Sequence, residues 1–307
     1  MVSLNIQLPQ GFLNEETLCD YTVSEEMKKV WAVELDLLNQ LQKLCEKYNI
    51  NYCASAGTLL GAIRHKGFIP WDDDIDVVMI RDDYERFCNL ADEFETPYEL
   101  QFYEKTKGYF TGHAQLRNTM TTGVLKSSIE NRDLPEYNQG IFIDIFPLDS
   151  VPDDEKIREK HLKKIEKYKK LAARSYNCTI GYNKTAASIK RKVARIAFRL
   201  LPKKYSYEYF YMQFTDLCKK YNNEQTKYVS MLSFQPENAS FWIERKYLQS
   251  FQESKFEMLE IRIPTEYDEV LKYQYGNYMK FVKNGSYHGG IIFDVDTPFE
   301  DWKKQNL

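Results

Sequence analysis

Apolar residues recur at helical spacing between Ser24 and Tyr48. Val30, Val33, Leu37, Leu41 and Leu44 fall on one face, and Ser24 is positioned to cap the start, so this stretch predicts an amphipathic helix. The rhythm then shortens. "NYCASAG" (51–57) predicts a short strand ending in a glycine turn, and "TLLGAIRHKG" (58–67) a short helix. After Pro70 the β-branched run "IDVVMI" predicts a buried strand. "RDDYERFCNLADEFE" (81–95) follows as a helix with acids in its first turn, and "YELQFYE" and "GIFIDIFPLD" (140–149) as further strands. Such alternation points to an α/β or α+β core over residues 1–150. From Pro152 the pattern turns helical. Two long basic helices, "DDEKIREKHLKKIEKYKKLAARSY" and "KTAASIKRKVARIAFRLL", precede a more aromatic one, "YEYFYMQFTDLCKKYN", which together suggest a basic helical subdomain over 151–227. Mixed structure returns in 228–307, with strands at "YVSMLSF" and "FEMLEIRIP" and a helix from Thr265 to about Tyr275; this segment is expected to pack on the core.

Composition narrows the class. In 307 residues, 43% are hydrophobic and 28% charged, which fits a globular chain and argues against disorder. No apolar run approaches the roughly 18 residues needed to span a bilayer. The N-terminus has no basic region followed by an apolar core, so no signal peptide is expected and the location expected is cytoplasmic. Cys19, Cys45, Cys53, Cys88, Cys178 and Cys218 are scattered without a CxxC pair and are expected to be buried thiols. Charge is unevenly spread. Residues 156–204 hold 17 Lys or Arg against two acids, a surplus of 15, while the rest of the chain is 18 charges in deficit. Within this region Ile189, Val193, Ile196, Ala197 and Leu200 share one helical face, with Lys192, Arg195 and Arg199 displaced from it. Either that stripe docks an ordinary basic helix on the core, or the region rests peripherally on an anionic membrane, at the inner face in a bacterium.

The candidate chemistry centres on "GAIRHKGFIPWDDDIDVVMI" (61–80), which sets Asp72, Asp73, Asp74 and Asp76 within five positions before an apolar run. A solvated turn fits poorly, because Asp74 and Asp76 alternate with Ile75 and Val77, as on the two faces of a strand. A calcium loop would require glycine at Val77 and a bidentate glutamate at Asp83. There remains a D-x-D pair at a strand start, where two adjacent anions need a cation, preceded by a glycine turn at Gly57 and Thr58. That layout resembles the one in nucleotidyltransferase folds.

The whole string "AGTLLGAIRHKGFIPWDDDIDVVMIRDDYERF" resembles the signature of the LicD family, and "GIFIDIFPLD" resembles its second block. The resemblance implies an α+β fold, a nucleotidyltransferase-like mixed sheet core with a helical basic insertion. It further implies Asp74 and Asp76 as metal ligands. Asp144 is implied as the third carboxylate, binding metal and orienting or deprotonating an acceptor hydroxyl. Asp72 either joins a second metal or caps the turn; Asp73 is structural, and Asp149 stabilises a turn. One or two Mg²⁺ ions are implied. Gly57 and Thr58 would offer backbone N–H groups to a phosphate, and Arg64, His65 and Lys66 would meet a diphosphate. Arg117 is expected to be a surface cation or, failing that, a phosphate ligand. Trp71 is the best candidate for an aromatic contact to choline. His288, in "SYHGG", is expected to be a loop histidine or, failing that, a residue that closes over the site.

The activity implied is Mg²⁺-dependent transfer of phosphocholine from CDP-choline to a sugar hydroxyl of a teichoic acid or other surface-glycan precursor, lipid-linked, with release of CMP. Two alternatives stand beside it: transfer of ribitol or glycerol phosphate from the matching CDP donor, and a non-catalytic choline- or glycan-binding module. A nucleic-acid partner is not expected, since no recognition motif accompanies the basic helices.

Overall fold

The computed structural model describes residues 2–130, 134–179, 206–281 and 290–307, together with positions 193, 196 and 200. A hairpin of β1 (Glu16–Leu18) and β2 (Tyr21–Val23) leads into α1 (Glu25–Tyr48). The Ser24 hydroxyl accepts a hydrogen bond from Met27 N–H at 3.2 Å, the expected cap. Val30, Val33, Leu37, Leu41 and Leu44 are all buried, as the helical period requires. Within the same helix Trp31 is fully buried, stacks on Phe68 at 4.5 Å and donates Nε1–H to the Asp72 carbonyl. The longest helix of the core thereby pins the acidic turn.

After α1 come β3 (Cys53–Ala54), α2 (Ala56–Arg64), β4 (Asp76–Ile80), α3 (Arg81–Cys88), β5 (Tyr98–Gln101), β6 (Ala114–Asn118), β7 (Thr122–Leu125), α4 (Lys126–Glu130) and β8 (Phe142–Val151). Then follow α5 (Glu155–Thr179), α6 (Tyr207–Lys219), β9 (Tyr228–Ser230), β10 (Ile243–Glu244), the hairpin of β11 (Phe251–Phe256) and β12 (Leu259–Pro264), α7 (Tyr267–Tyr275), β13 (Ile291–Asp294) and α8 (Phe299–Asn306). The fold is α+β, with a mixed sheet at its centre.

Ten-residue β8 organises that sheet. It pairs in parallel with β4 on one side; on the other it pairs antiparallel first with β6 and then with β9. Beyond β4 lies β3, beyond β6 lies β5, and beyond β9 lies β10. The antiparallel helices α5 and α6 thus form an insertion between neighbouring strands β8 and β9. They carry their own apolar cluster, built from Leu162, Ile165, Phe210, Phe214 and Leu217, which closes on Val151 of β8.

Several expectations need correction. The left-handed residue after β3 is Ala56 (φ 46°), the first of α2, and Gly57 already lies inside that helix. The helix expected over 81–95 stops at Cys88 and gives way to a 3₁₀ turn at Ala91–Glu93. Cys19 is exposed, while Cys45, Cys53, Cys88 and Cys218 are the buried thiols expected. Val193, Ile196 and Leu200 are helical but 61%, 60% and 80% exposed, so these three do not dock on the core. Ile189, Lys192, Arg195, Ala197, Arg199 and His288 lie outside the described residues. Among the described residues no helix is long and apolar enough to cross a membrane.

Candidate active site

The parallel pairing of β4 with β8 puts Asp76 directly opposite Asp144. Adjacent strands run about 4.8 Å apart, so these two carboxylates rise side by side from one sheet face. Asp74, two residues before Asp76, keeps the same parity; both are half-buried, whereas Ile75 and Val77 between and after them are wholly buried. Local backbone contacts fix the arrangement. Thr58 Oγ1, in the first turn of α2, accepts the Asp76 N–H at 2.8 Å, and Ser55 N–H donates to the Asp76 carbonyl. Asp72 and Asp73 are buried. A Cβ on Gly57 would stand 2.6 Å from Asp72 Oδ2, so glycine is needed there to let this carboxylate close on the start of α2. Among the described residues, no three His, Cys, Asp or Glu side chains already converge as a metal shell.

Asp144 is held from β6. Its Oδ1 accepts from Gln115 Nε2 at 2.8 Å and lies 3.0 Å from His113 Nε2. Gln115 Oε1 in turn accepts from Arg117 Nη2 at 2.5 Å, and Arg117 Nη1 donates to the Gly140 carbonyl. Arg117 is buried, with its guanidinium over the Phe142 ring at 4.4 Å, and burial lowers its pKa. It is neither the surface cation nor the phosphate ligand expected. Asp149 is likewise more than a turn residue. It is completely buried and receives a two-pronged ion pair from Arg81 of α3 at 2.8 and 2.6 Å.

A basic and aromatic rim flanks the carboxylates. Arg64, at the end of α2, donates from Nε to His65 Nε2 at 2.9 Å and from Nη1 to the Tyr278 carbonyl at 3.0 Å; it also lies over the Phe281 ring. Burial first, and the Arg64 charge second, press the His65 pKa down to about 4, so this ring is neutral at physiological pH. His65 in turn touches Trp71 edge-on at 6.4 Å and Phe281 at 5.5 Å. Lys66 diverges from them. It takes up a left-handed backbone (φ 60°), its carbonyl accepts Glu257 N–H, and it lines a 210 Å³ cavity with Glu16, Lys255 and Glu257, which His65 borders from the rim side. Tyr275, at the end of α7, joins the rim: it keeps 45% of its surface exposed, and its pKa is raised by the partial burial of its hydroxyl and by the charges of Asp76, Asp72 and Asp74.

Sequence reasoning missed His113, Gln115 and Tyr275. For the first two a signal exists. In "HAQLRN" (113–118) the polar residues alternate with Ala114 and Leu116, which marks a strand with one polar face. Tyr275 has no local signal, because it reaches the carboxylates only through the packing of α7 on α2.

Comparison with known proteins adds to this geometry. The family described as LicD/FKTN/FKRP, nucleotidyltransferase domain, matches residues 49–172, a span containing the acidic turn, β6 and β8. The lipopolysaccharide cholinephosphotransferase LicD of Haemophilus influenzae is 31% identical over 261 residues, which cover 83% of this chain and 91% of that protein. Uncharacterized proteins of Rickettsia typhi and Rickettsia prowazekii are each 36% identical over 83 residues, 27% of this chain and 26% and 30% of theirs.

Proposed function

The chain belongs to the LicD family of transferases, and we propose that it moves phosphocholine from CDP-choline to a sugar hydroxyl of a cell-surface glycan, a lipopolysaccharide or teichoic acid precursor, releasing CMP. The observation that carries this reading is the pairing of Asp76 with Asp144 across parallel strands, with Asp74 on the same face. Phosphoryl transfer needs charge neutralisation and in-line positioning more than covalent help, and this arrangement is suited to both.

The donor set is carboxylate oxygen throughout, which fits Mg²⁺ better than softer ions. We assign Asp74, Asp76 and Asp144 to it, with substrate phosphates and water completing the shell, as Mg²⁺ commonly prefers. Asp72, closed against Gly57, is assigned to the turn. When bound, the ion would neutralise the diphosphate and the charge developing on the leaving phosphate. In the reaction the acceptor oxygen forms a bond to the choline-bearing phosphorus. The anhydride P–O bond breaks, its electron pair departs with CMP, and Asp144 takes the hydroxyl proton. Gly57 and Thr58 offer N–H groups at the α2 start to a donor phosphate. Arg64, held at the rim, faces the diphosphate. The aromatic faces of Trp71, Tyr275 and Phe281 offer the quaternary ammonium a cation–π surface.

The basic insertion supports a membrane-borne acceptor. On α5, Lys156, Lys160, Lys163, Lys164, Lys167 and Lys170 are exposed, and the exposed Val193, Ile196 and Leu200 supply apolar side chains nearby in sequence. Basic charge with exposed apolar residues suits a peripheral site on an anionic membrane carrying a lipid-linked acceptor.

The test is direct. Purified protein is incubated with Mg²⁺ and CDP-choline, CDP-ribitol or CDP-glycerol, with and without candidate glycans, and CMP is measured. Acceptor-dependent CMP from CDP-choline alone is expected. Preference for another CDP-alcohol would replace the donor, and ligand binding without CMP release would make the protein a binding module.

A further inference from the structure

We infer that Arg117, Gln115 and His113 form a positioning relay that fixes Asp144 as an oriented anion beside Asp76. The inference rests on the proposed role of Asp144 in the reaction. It begins with strand parity. The antiparallel register of β6 on β8 sets Gln115 opposite Asp144 and Arg117 opposite Phe142, and His113 extends the same alternation. Three polar side chains therefore share the face of Asp144, while Ala114, Leu116 and Asn118 turn into the core.

Arg117 is the unexpected member. A buried guanidinium is costly unless an anion or a set of hydrogen bonds offsets its lost hydration. Among the described residues, no carboxylate pairs with it directly. Its two hydrogen bonds instead go to the Gly140 carbonyl and to Gln115 Oε1. The amide of Gln115 stands between a buried cation and Asp144, and charge alone dictates its orientation. With Oε1 on Arg117 and Nε2 on Asp144, both contacts are attractive. A flipped amide would set N–H against N–H at one end and oxygen against oxygen at the other. An arginine that cannot lose its proton thus keeps the Gln115 donor aimed at Asp144. His113 supplies a second donor. Opposite a carboxylate its Nε2 must carry the proton, and the ring is held against Phe146 and Phe234 at 4.3 and 5.9 Å.

Both donors converge on Oδ1. Oδ2 carries neither of them, and the Asp144 side chain retains 16% exposure. The relay therefore limits rotation of the carboxylate and leaves Oδ2 for a cation or a hydroxyl. Partners of this kind, standing behind a metal ligand, typically alter metal affinity or activity by about 10–100-fold.

The experiment uses full-length protein and Mn²⁺ alone, with free Mn²⁺ counted by electron paramagnetic resonance, and turnover measured separately. Gln115→Met keeps the volume and removes both amide hydrogen bonds; a 10–100-fold weaker Mn²⁺ affinity is expected. His113→Phe keeps the ring but removes the donor, and His113→Gln should recover part of what is lost. Because Arg117 acts through Gln115, the double variant Gln115→Met/Arg117→Met should bind Mn²⁺ no more weakly than Gln115→Met alone. Where Arg117→Met does not fold, the Gln115 and His113 variants carry the test by themselves. Wild-type Mn²⁺ affinity in Gln115→Met and His113→Phe, with only thermal stability lowered, would overturn the relay. The control is Asp144→Asn. If that change leaves both Mn²⁺ affinity and turnover intact, the reading of Asp144 fails, which is a different result from a relay that fails behind a functional Asp144.

Discussion

Replacing Arg81 with methionine breaks a buried ion pair from one side. The Arg81 and Asp149 side chains are 8% and 0% exposed, and Nε and Nη2 meet the two carboxylate oxygens at 2.8 and 2.6 Å. Asn222 Nδ2 adds a third donor at 2.7 Å, and Asn222 Oδ1 accepts Ser150 N–H. Burial alone would lower the arginine pKa, but the Asp149 charge and hydrogen bonds outweigh it and raise it. Arg81→Met removes two of the three donors while leaving the aspartate in place. Breaking a buried pair from one side costs about 3–5 kcal/mol, because the other charge stays uncompensated. At roughly 2–4 °C per kcal/mol for a chain this long, the melting temperature should fall by about 6–20 °C.

The double variant Arg81→Met/Asp149→Leu removes both charges. Since replacing a whole buried pair by apolar groups is often near neutral, it should lose less stability than Arg81→Met alone. Calorimetry measures stability, and CMP release per folded molecule at a permissive temperature measures activity. Two results would refute the reasoning. A double variant at least as unstable as the sum of the single changes would mean that the pair contributes more than mutual compensation. Loss of turnover in a fully folded Arg81→Met protein would place Asp149 in the chemistry and not in the packing of α3 on β8.

Asp76→Asn and Asp144→Asn should each lower turnover by a factor of at least about a thousand with the fold intact, since each removes a charge from a phosphoryl-transfer site; near-normal rates would end the proposed mechanism. Trp71→Ala should weaken CDP-choline binding by about 0.5–2 kcal/mol more than CMP binding, and equal losses by calorimetric titration would mean that Trp71 does not read choline. His161 is buried, and its pKa is lowered to about 4, by burial first and then by Lys220 and Lys164. The unfolded chain therefore takes up this proton first, near the ordinary 6.5, so folding stability should fall as pH drops from about 6.5 to 4; a denaturation midpoint in His161→Gln that falls as steeply as the wild type would exclude this cause. The protein should sediment with phosphatidylglycerol vesicles at low salt and be released at high salt, with no binding to neutral vesicles; binding indifferent to salt and lipid charge would remove the membrane reading.

What could be read in the chain was what short-range periodicity encodes. Helix α1 was legible because its cap, its apolar stripe and its end lie within one continuous stretch, and β4 because its alternation begins at the acidic turn. The helical pattern over 81–95 runs past the end of α3 because Asn89 and Leu90 break the helix without glycine or proline. The hairpin of β11 and β12 was half seen, since Glu257, at its turn, holds a left-handed backbone (φ 56°) that no glycine announces. The burial of Arg117 departs from the expectation for a physical reason. An arginine read alone is a surface cation by default, and its burial depends on Gln115, Gly140 and Phe142, whose contacts exist only once β6 lies on β8.

The two aspartates of "FIDIFPLD" show why a motif does not by itself apportion roles. Asp144 and Asp149 are five residues apart, an odd number, and on a strand odd separation sends side chains to opposite faces. Asp144 therefore joins Asp76 and the polar face of β6, while Asp149 points to the opposite side and meets Arg81 of α3 and Asn222, just beyond α6. Five positions of one strand thus carry both a candidate catalytic group and the lock that holds helices behind it. The first retains some exposure and accepts hydrogen bonds on a single oxygen; the second has none and has donors on both. Exposure and an oxygen left for a ligand separate the two, and both follow from strand parity and from which elements cover each face of β8.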